Sequence, residues 1–218
     1  MGQGYKIILL STRDKRVRND KKIITSFYPC GSIKLMMFSF IDYLTTRRVE
    51  NILFENPQRI VVAGDYADEE PQTYKNEVGE SVKDNLYDWS RKLNKEDETP
   101  YIQYEHADNR EADFANYMKA VEARKIAEPH HRYAINEDKK MFVDLDADGN
   151  ISEDGERIHP LMLLLAEGNS RGGGDYWGVN MHLVGSWARD LIRVSDTKPE
   201  GYKEFKHRFK EDFKTYHG

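Results

Sequence analysis

The chain has a single cysteine, Cys30, among its 218 residues. One thiol cannot close a disulfide within the chain, and a cysteine-rich zinc site is excluded. A reducing, cytoplasmic setting is the expectation. Long apolar runs are also lacking. The opening stretch MGQGYKIILLSTRDKRVRNDKK holds one short apolar run before its charges. That run is too short for a signal peptide or a membrane span, so no membrane partner is expected. Lys6 stands where a myristoylation motif wants Ser or Thr. A basic excess is missing too. Lys and Arg total 33 against 38 for Asp and Glu, a formal net charge of -5, which speaks against nucleic acid as a partner. Three catalytic signatures are absent: no Gly-Lys-Ser/Thr follows a glycine-rich loop, no HExxH occurs, and no serine sits in a Gly-x-Ser-x-Gly elbow.

Hydrophobic residues make up 39% and aromatic residues 11%, enough for a core. Charged residues make up 33%, so the surface is heavily polar and charged inserts are expected. Residues 5–11, 22–28 and 57–64 read as buried strands, the last opened by Pro57 and closed by Gly64. Between the first two lies the basic stretch TRDKRVRNDKK, a solvated hairpin tip. Apolar residues at 33, 36, 37, 40, 41 and 44 follow helical spacing, with Ser32 as N-cap, and predict a helix over 33–53. Residues 67–127 are rich in Asp, Glu, Lys and Asn. Within them Val82, Leu86, Trp89 and Leu93 predict one amphipathic helix, and 111–125 a second.

The last third returns to strands. Residues 132–135 and 140–145 predict a hairpin, HPLMLLLAEG a buried strand or short helix, and 190–196 another strand. Aromatic residues at 202, 205, 209, 213 and 216 predict a helix over 199–215, with Pro199 in its first turn. The expectation is a single α+β domain over residues 1–218. It has a mainly antiparallel sheet, helices packed on it, and an acidic helical insert at 67–127.

The stretches VVAGDYAD, IHPLMLLLAEGNSRGGGDYWG and VGSWARDLIRV, with VDL before them, resemble a scattered family of uncharacterised microbial and phage-type proteins. The resemblance covers the front and back thirds of the chain. It implies that these segments form one unit and carries no activity with it.

Three segments stand out chemically. GNSRGGGDYWG sets Gly172, Gly173 and Gly174 between Arg171 and Asp175, with Tyr176 next. Three glycines let a backbone approach a ligand closely, and Arg171 suits a carboxylate or phosphate. The alternative is a tight packing of two chain segments. AGDYADEE ends a strand and then presents Asp65, Tyr66 and Asp68, where functional groups often sit; a solvated acidic turn is the alternative. In DLDADGNISEDGE, Asp144, Asp146 and Asp148 match positions 1, 3 and 5 of a calcium loop, but Gly155 stands where the bidentate glutamate belongs. A turn held by Asx-type hydrogen bonds is the alternative. His159 or His182 with Asp65 is a metal candidate without supporting spacing.

The leading functional expectation is a binding protein whose site joins the 63–70 and 168–178 loops, taking a small molecule or a protein. The first rival is a small hydrolase or transferase using Asp65, Asp68, Arg171 and Asp175 with a divalent cation. The second is a calcium-stabilised structural protein.

Overall fold

A computed structural model of the chain describes residues 5–10, 25–26, 49–69, 74–75, 81–82, 85–88, 130–150, 159–167 and 181–206. In chain order the strands are β1 (Tyr5–Leu10), β2 (Thr25–Ser26), β3 (Gln58–Gly64), β4 (Tyr74–Lys75), β5 (Ser81–Val82), β6 (Tyr133–Asn136), β7 (Met141–Asp144), β8 (Ala166–Glu167), β9 (Leu191–Ser195) and β10 (Lys203–Glu204). Eight of them build one mixed sheet in the order β10-β7-β6-β9-β3-β1-β2, with β8 joined to β3; β4 and β5 pair separately. The pairs β10–β7 and β3–β8 are parallel, and the others are antiparallel.

The centre of the sheet is set by two continuous apolar runs. β1 and β3 pair from Tyr5↔Gly64 to Leu10↔Arg59. Alternate side chains then split between two faces, as a strand's period requires. Ile7, Leu9, Ile60 and Val62 join the larger core. Ile8, Leu10, Val61 and Ala63 form a second core, closed by Leu86. Burial on both faces explains why neither run alternates with polar residues.

The larger core is roofed by helical residues 49–53 and by α1 (Pro160–Leu165). Pro160 opens α1, the His159 side chain caps Leu161 N–H, and all six helical residues are buried. The apolar run thus serves as short helix and then strand, since Ala166 turns directly into β8. Two carbonyls at the end of α1 are satisfied from outside: Gly185 N–H bonds Leu163 O at 3.0 Å and Trp187 N–H bonds Leu164 O at 2.8 Å. These contacts bind the buried Trp187 turn to the helix end, where orphan carbonyls otherwise face apolar surroundings.

Two expectations are corrected. Residues 199–206 do not start a helix: Gly201 is left-handed at φ 74, and Lys203–Glu204 is a strand. Backbone bonds from Lys203 to Lys140 O and from Phe205 to Phe142 O hold this edge, and Phe205 meets Trp187 edge-on at 5.6 Å. Val82 belongs to β5 rather than to the helix predicted around Leu86; only 86–88 of that segment are described as helical. The predicted helix at 111–125 and positions 207–215 lie outside the described residues. Among the described residues, no helix is long and apolar enough to cross a membrane.

Candidate functional site

The second edge of β3 is divided among three partners. Gln58 and Arg59 pair with β9, Ile60 O accepts the Arg189 N–H at 2.8 Å, and Val62 and Ala63 pair with β8. The β8 pairing is parallel, Val62↔Ala166 and Ala63↔Glu167. Two chains that run the same way on neighbouring strands, about 4.8 Å apart, leave the sheet at the same end. Asp65, Tyr66 and Asp68 begin one departure. The glycine stretch from Gly168 follows the other in sequence.

At that end Ala67 N–H bonds Gly64 O at 3.1 Å, closing a turn. Asn85 Nδ2 donates to Asp65 O at 3.1 Å, and Asn85 Oδ1 accepts the Asp88 N–H at 2.8 Å. Residues 85–88 are thus pinned to the turn while Leu86 fills the core beneath. Asp65 is half-buried, Asp68 is exposed, and Tyr66 is 47% exposed. Beside them Glu167 and Arg189 form a two-point ion pair, with Nε to Oε1 at 2.7 Å and Nη2 to Oε2 at 2.6 Å. Arg189 holds a left-handed backbone, φ 65, which costs a non-glycine residue about 1 kcal/mol. Its N–H on Ile60 O and its fork on Glu167 keep it there. The pair was not read from the sequence. Its one signal is a charge ending each of two otherwise apolar stretches, LLLAE and SWAR.

Arg171, Gly172, Gly173, Gly174, Asp175 and Tyr176 lie outside the described residues. Asp144, Asp146 and Asp148 are described, and two of them already face basic side chains of the chain. Asp144 accepts from Arg132, with Nη2 at 3.0 Å, and Asp146 meets His130 Nε2 at 2.8 Å. The bond and charge of Asp144 push the Arg132 guanidinium further above its usual range. Asp144 also caps Asp146 N–H at 3.0 Å, an Asx-type turn. Among the described residues, no group of three or more His, Cys, Asp or Glu is placed to hold a metal ion. His182 is exposed, and His159 joins Glu50 rather than Asp65.

A second polar centre gathers histidines that the sequence left scattered. The Glu50 carboxylate is 1% exposed. It meets His159 Nε2 at 2.7 Å, His130 Nδ1 at 3.1 Å and the His131 N–H at 3.0 Å. The His131 ring turns away, with Nδ1 3.2 Å from Asp196 and Phe54 stacked on it at 3.9 Å. Its Nε2 is buried and, among the described residues, has no hydrogen-bond partner.

No protein-family model, curated protein or solved structure matches the chain.

Proposed function

We propose that the protein is a binding protein, cytoplasmic in setting, whose ligand site lies where β3 and β8 end together and joins the 63–70 and 168–178 loops. The parallel register Ala63↔Glu167 supports this reading, because it starts both loops side by side. Covalent length keeps Arg171 within about 14 Å of Glu167, four residues away. That length allows Arg171 and the three glycines to approach Asp65, Tyr66 and Asp68, with Asp175 and Tyr176 following in sequence. The charges suit a small molecule with an anionic group for Arg171 and a donor for the aspartates. The same reading takes residues 1–218 as one α+β unit with an acidic helical insert at 67–127, its front and back thirds joined as the resemblance to the phage-type family implies.

A thermal-shift screen tests it, with inorganic phosphate, nucleotides, small carboxylates, magnesium and calcium as probes. A compound bound only by the native state raises the melting temperature. The expected result is a rise with at least one anionic probe that Arg171→Ala removes and Lys139→Ala, at the far end of β3, leaves intact. No rise with any probe contradicts the small-molecule reading. A rise with calcium alone, abolished by Asp146→Ala, moves the binding to the Asp144–Asp148 turn instead. Phosphoester cleavage that needs magnesium and is lost in Asp65→Asn favours the hydrolase reading over simple binding.

A further inference from the structure

We propose that His130 is a proton-dependent latch: held as an imidazolium, it ties the buried Glu50 carboxylate to Asp146 in the turn after β7. The inference is independent of the ligand site. It stands on what each ring nitrogen faces. His130 Nδ1 lies 3.1 Å from Glu50 Oε2, and Nε2 lies 2.8 Å from Asp146 Oδ1. A neutral imidazole has one N–H and one lone pair, so it donates to only one of two carboxylates. With two protons it donates to both.

The histidine on the other side of Glu50 is built differently. His159 Nδ1 accepts the Leu161 N–H at 3.3 Å, so in its neutral form the proton sits on Nε2 and is donated to Glu50. Two histidines thus share one carboxylate, and their second nitrogens separate them: one faces a backbone donor, the other a second acid. Glu50 accepts from His159, His130 and the His131 N–H.

The titratable and charged groups around His130 come from several described elements. Glu50 lies on the helical residues 49–53. Asp146 follows β7, with Asp144 and its partner Arg132 beside it. His159 caps α1, and Asp196 after β9 is turned toward His131. Loss of the second His130 proton sets a lone pair against a carboxylate and releases one end of the latch. A histidine stabilised in its charged form contributes fully below its unfolded midpoint, about 6.5, and the contribution is lost as pH rises through the folded midpoint. The released side would be the exposed one, freeing the Asp146 turn while Glu50 keeps all three of its donors.

Nitrogen-resolved NMR of the histidine rings in the full chain is the direct test. Near neutral pH, both His130 nitrogens are expected to be protonated, with a ring midpoint above about 6.5. Asp146→Asn is expected to lower that midpoint. Melting temperature followed upward from pH 6.5 should fall in the natural chain, and His130→Gln should remove that part of the fall. A single proton on His130 near neutral pH overturns the proposal. So does an equal pH slope in the natural chain and His130→Gln. If His130→Gln fails to fold, the ring spectrum of the natural chain still decides.

Discussion

Glu137, in the turn between β6 and β7, carries the strongest acid–base argument for stability. Burial pushes its carboxyl up. Hydrogen bonds from Tyr202, Arg193 and Lys140 outweigh that and hold it below its usual 4.5. The Tyr202 hydroxyl donates at 2.5 Å, Arg193 Nε at 2.9 Å and Lys140 Nζ at 3.3 Å. In return Tyr202 and Glu137 push the Lys140 ammonium above its usual range. A carboxyl lowered by folding stabilises the fold above its unfolded value and loses that effect as pH falls through its folded value. Glu137→Gln should therefore be less stable than the natural chain near neutral pH, and the gap should close as pH drops below 4.5, read by urea unfolding. A gap that stays constant would remove charge from the account of this turn. Glu50 makes a different prediction. Its carboxylate is buried among three donors, so Glu50→Gln leaves His130 facing an amide and should cost about 3–5 kcal/mol in the same measurement. A loss under about 1 kcal/mol would mean that the carboxylate is solvated.

At the level of elements, the apolar stretches were legible and the aromatic ones were not. β1 and β3 could be read because both faces are buried, which leaves the unbroken apolar runs 7–10 and 60–63. The hairpin β6–β7 was legible from its polar turn, and its strands fall close to the expected bounds. The stretch from Tyr202 misled because spacing of 3 and 4 fits a helix, while Gly201 and the open edge of β7 favour a strand. That difference is measurable by hydrogen exchange. The Lys203 N–H bonds Lys140 O just before β7 and the Phe205 N–H bonds Phe142 O within it, while Glu204, between them, points the other way. Slow exchange at 203 and 205 with fast exchange at 204 is expected. Uniform protection across the three would indicate a helix. The Glu50 centre had no sequence signal, because its members are 80 and 109 residues apart and only the fold brings them together.

Across the whole molecule, one long central strand is shared between different partners. β3 gives its start to β9 and its end to β8, so the molecule has two distinct ends along this strand. The start end is stitched by ion pairs, Arg59 with Asp138 at 2.6 Å and Lys139 with Asp190 at 2.8 Å. The other end carries Asp65, Tyr66 and Asp68 beside the Glu167–Arg189 pair. The β3–β8 register sets Ala63 and Glu167, from which the 63–70 and 168–178 stretches continue in sequence, side by side at that end. The most direct measurement places a nitroxide on Asp68→Cys, with Cys30 replaced by serine, and records its broadening of backbone NMR signals. The account predicts strong broadening at residues 171–176 and none at 138–140, near the start of β3. Sharp signals at 171–176 would contradict a shared site.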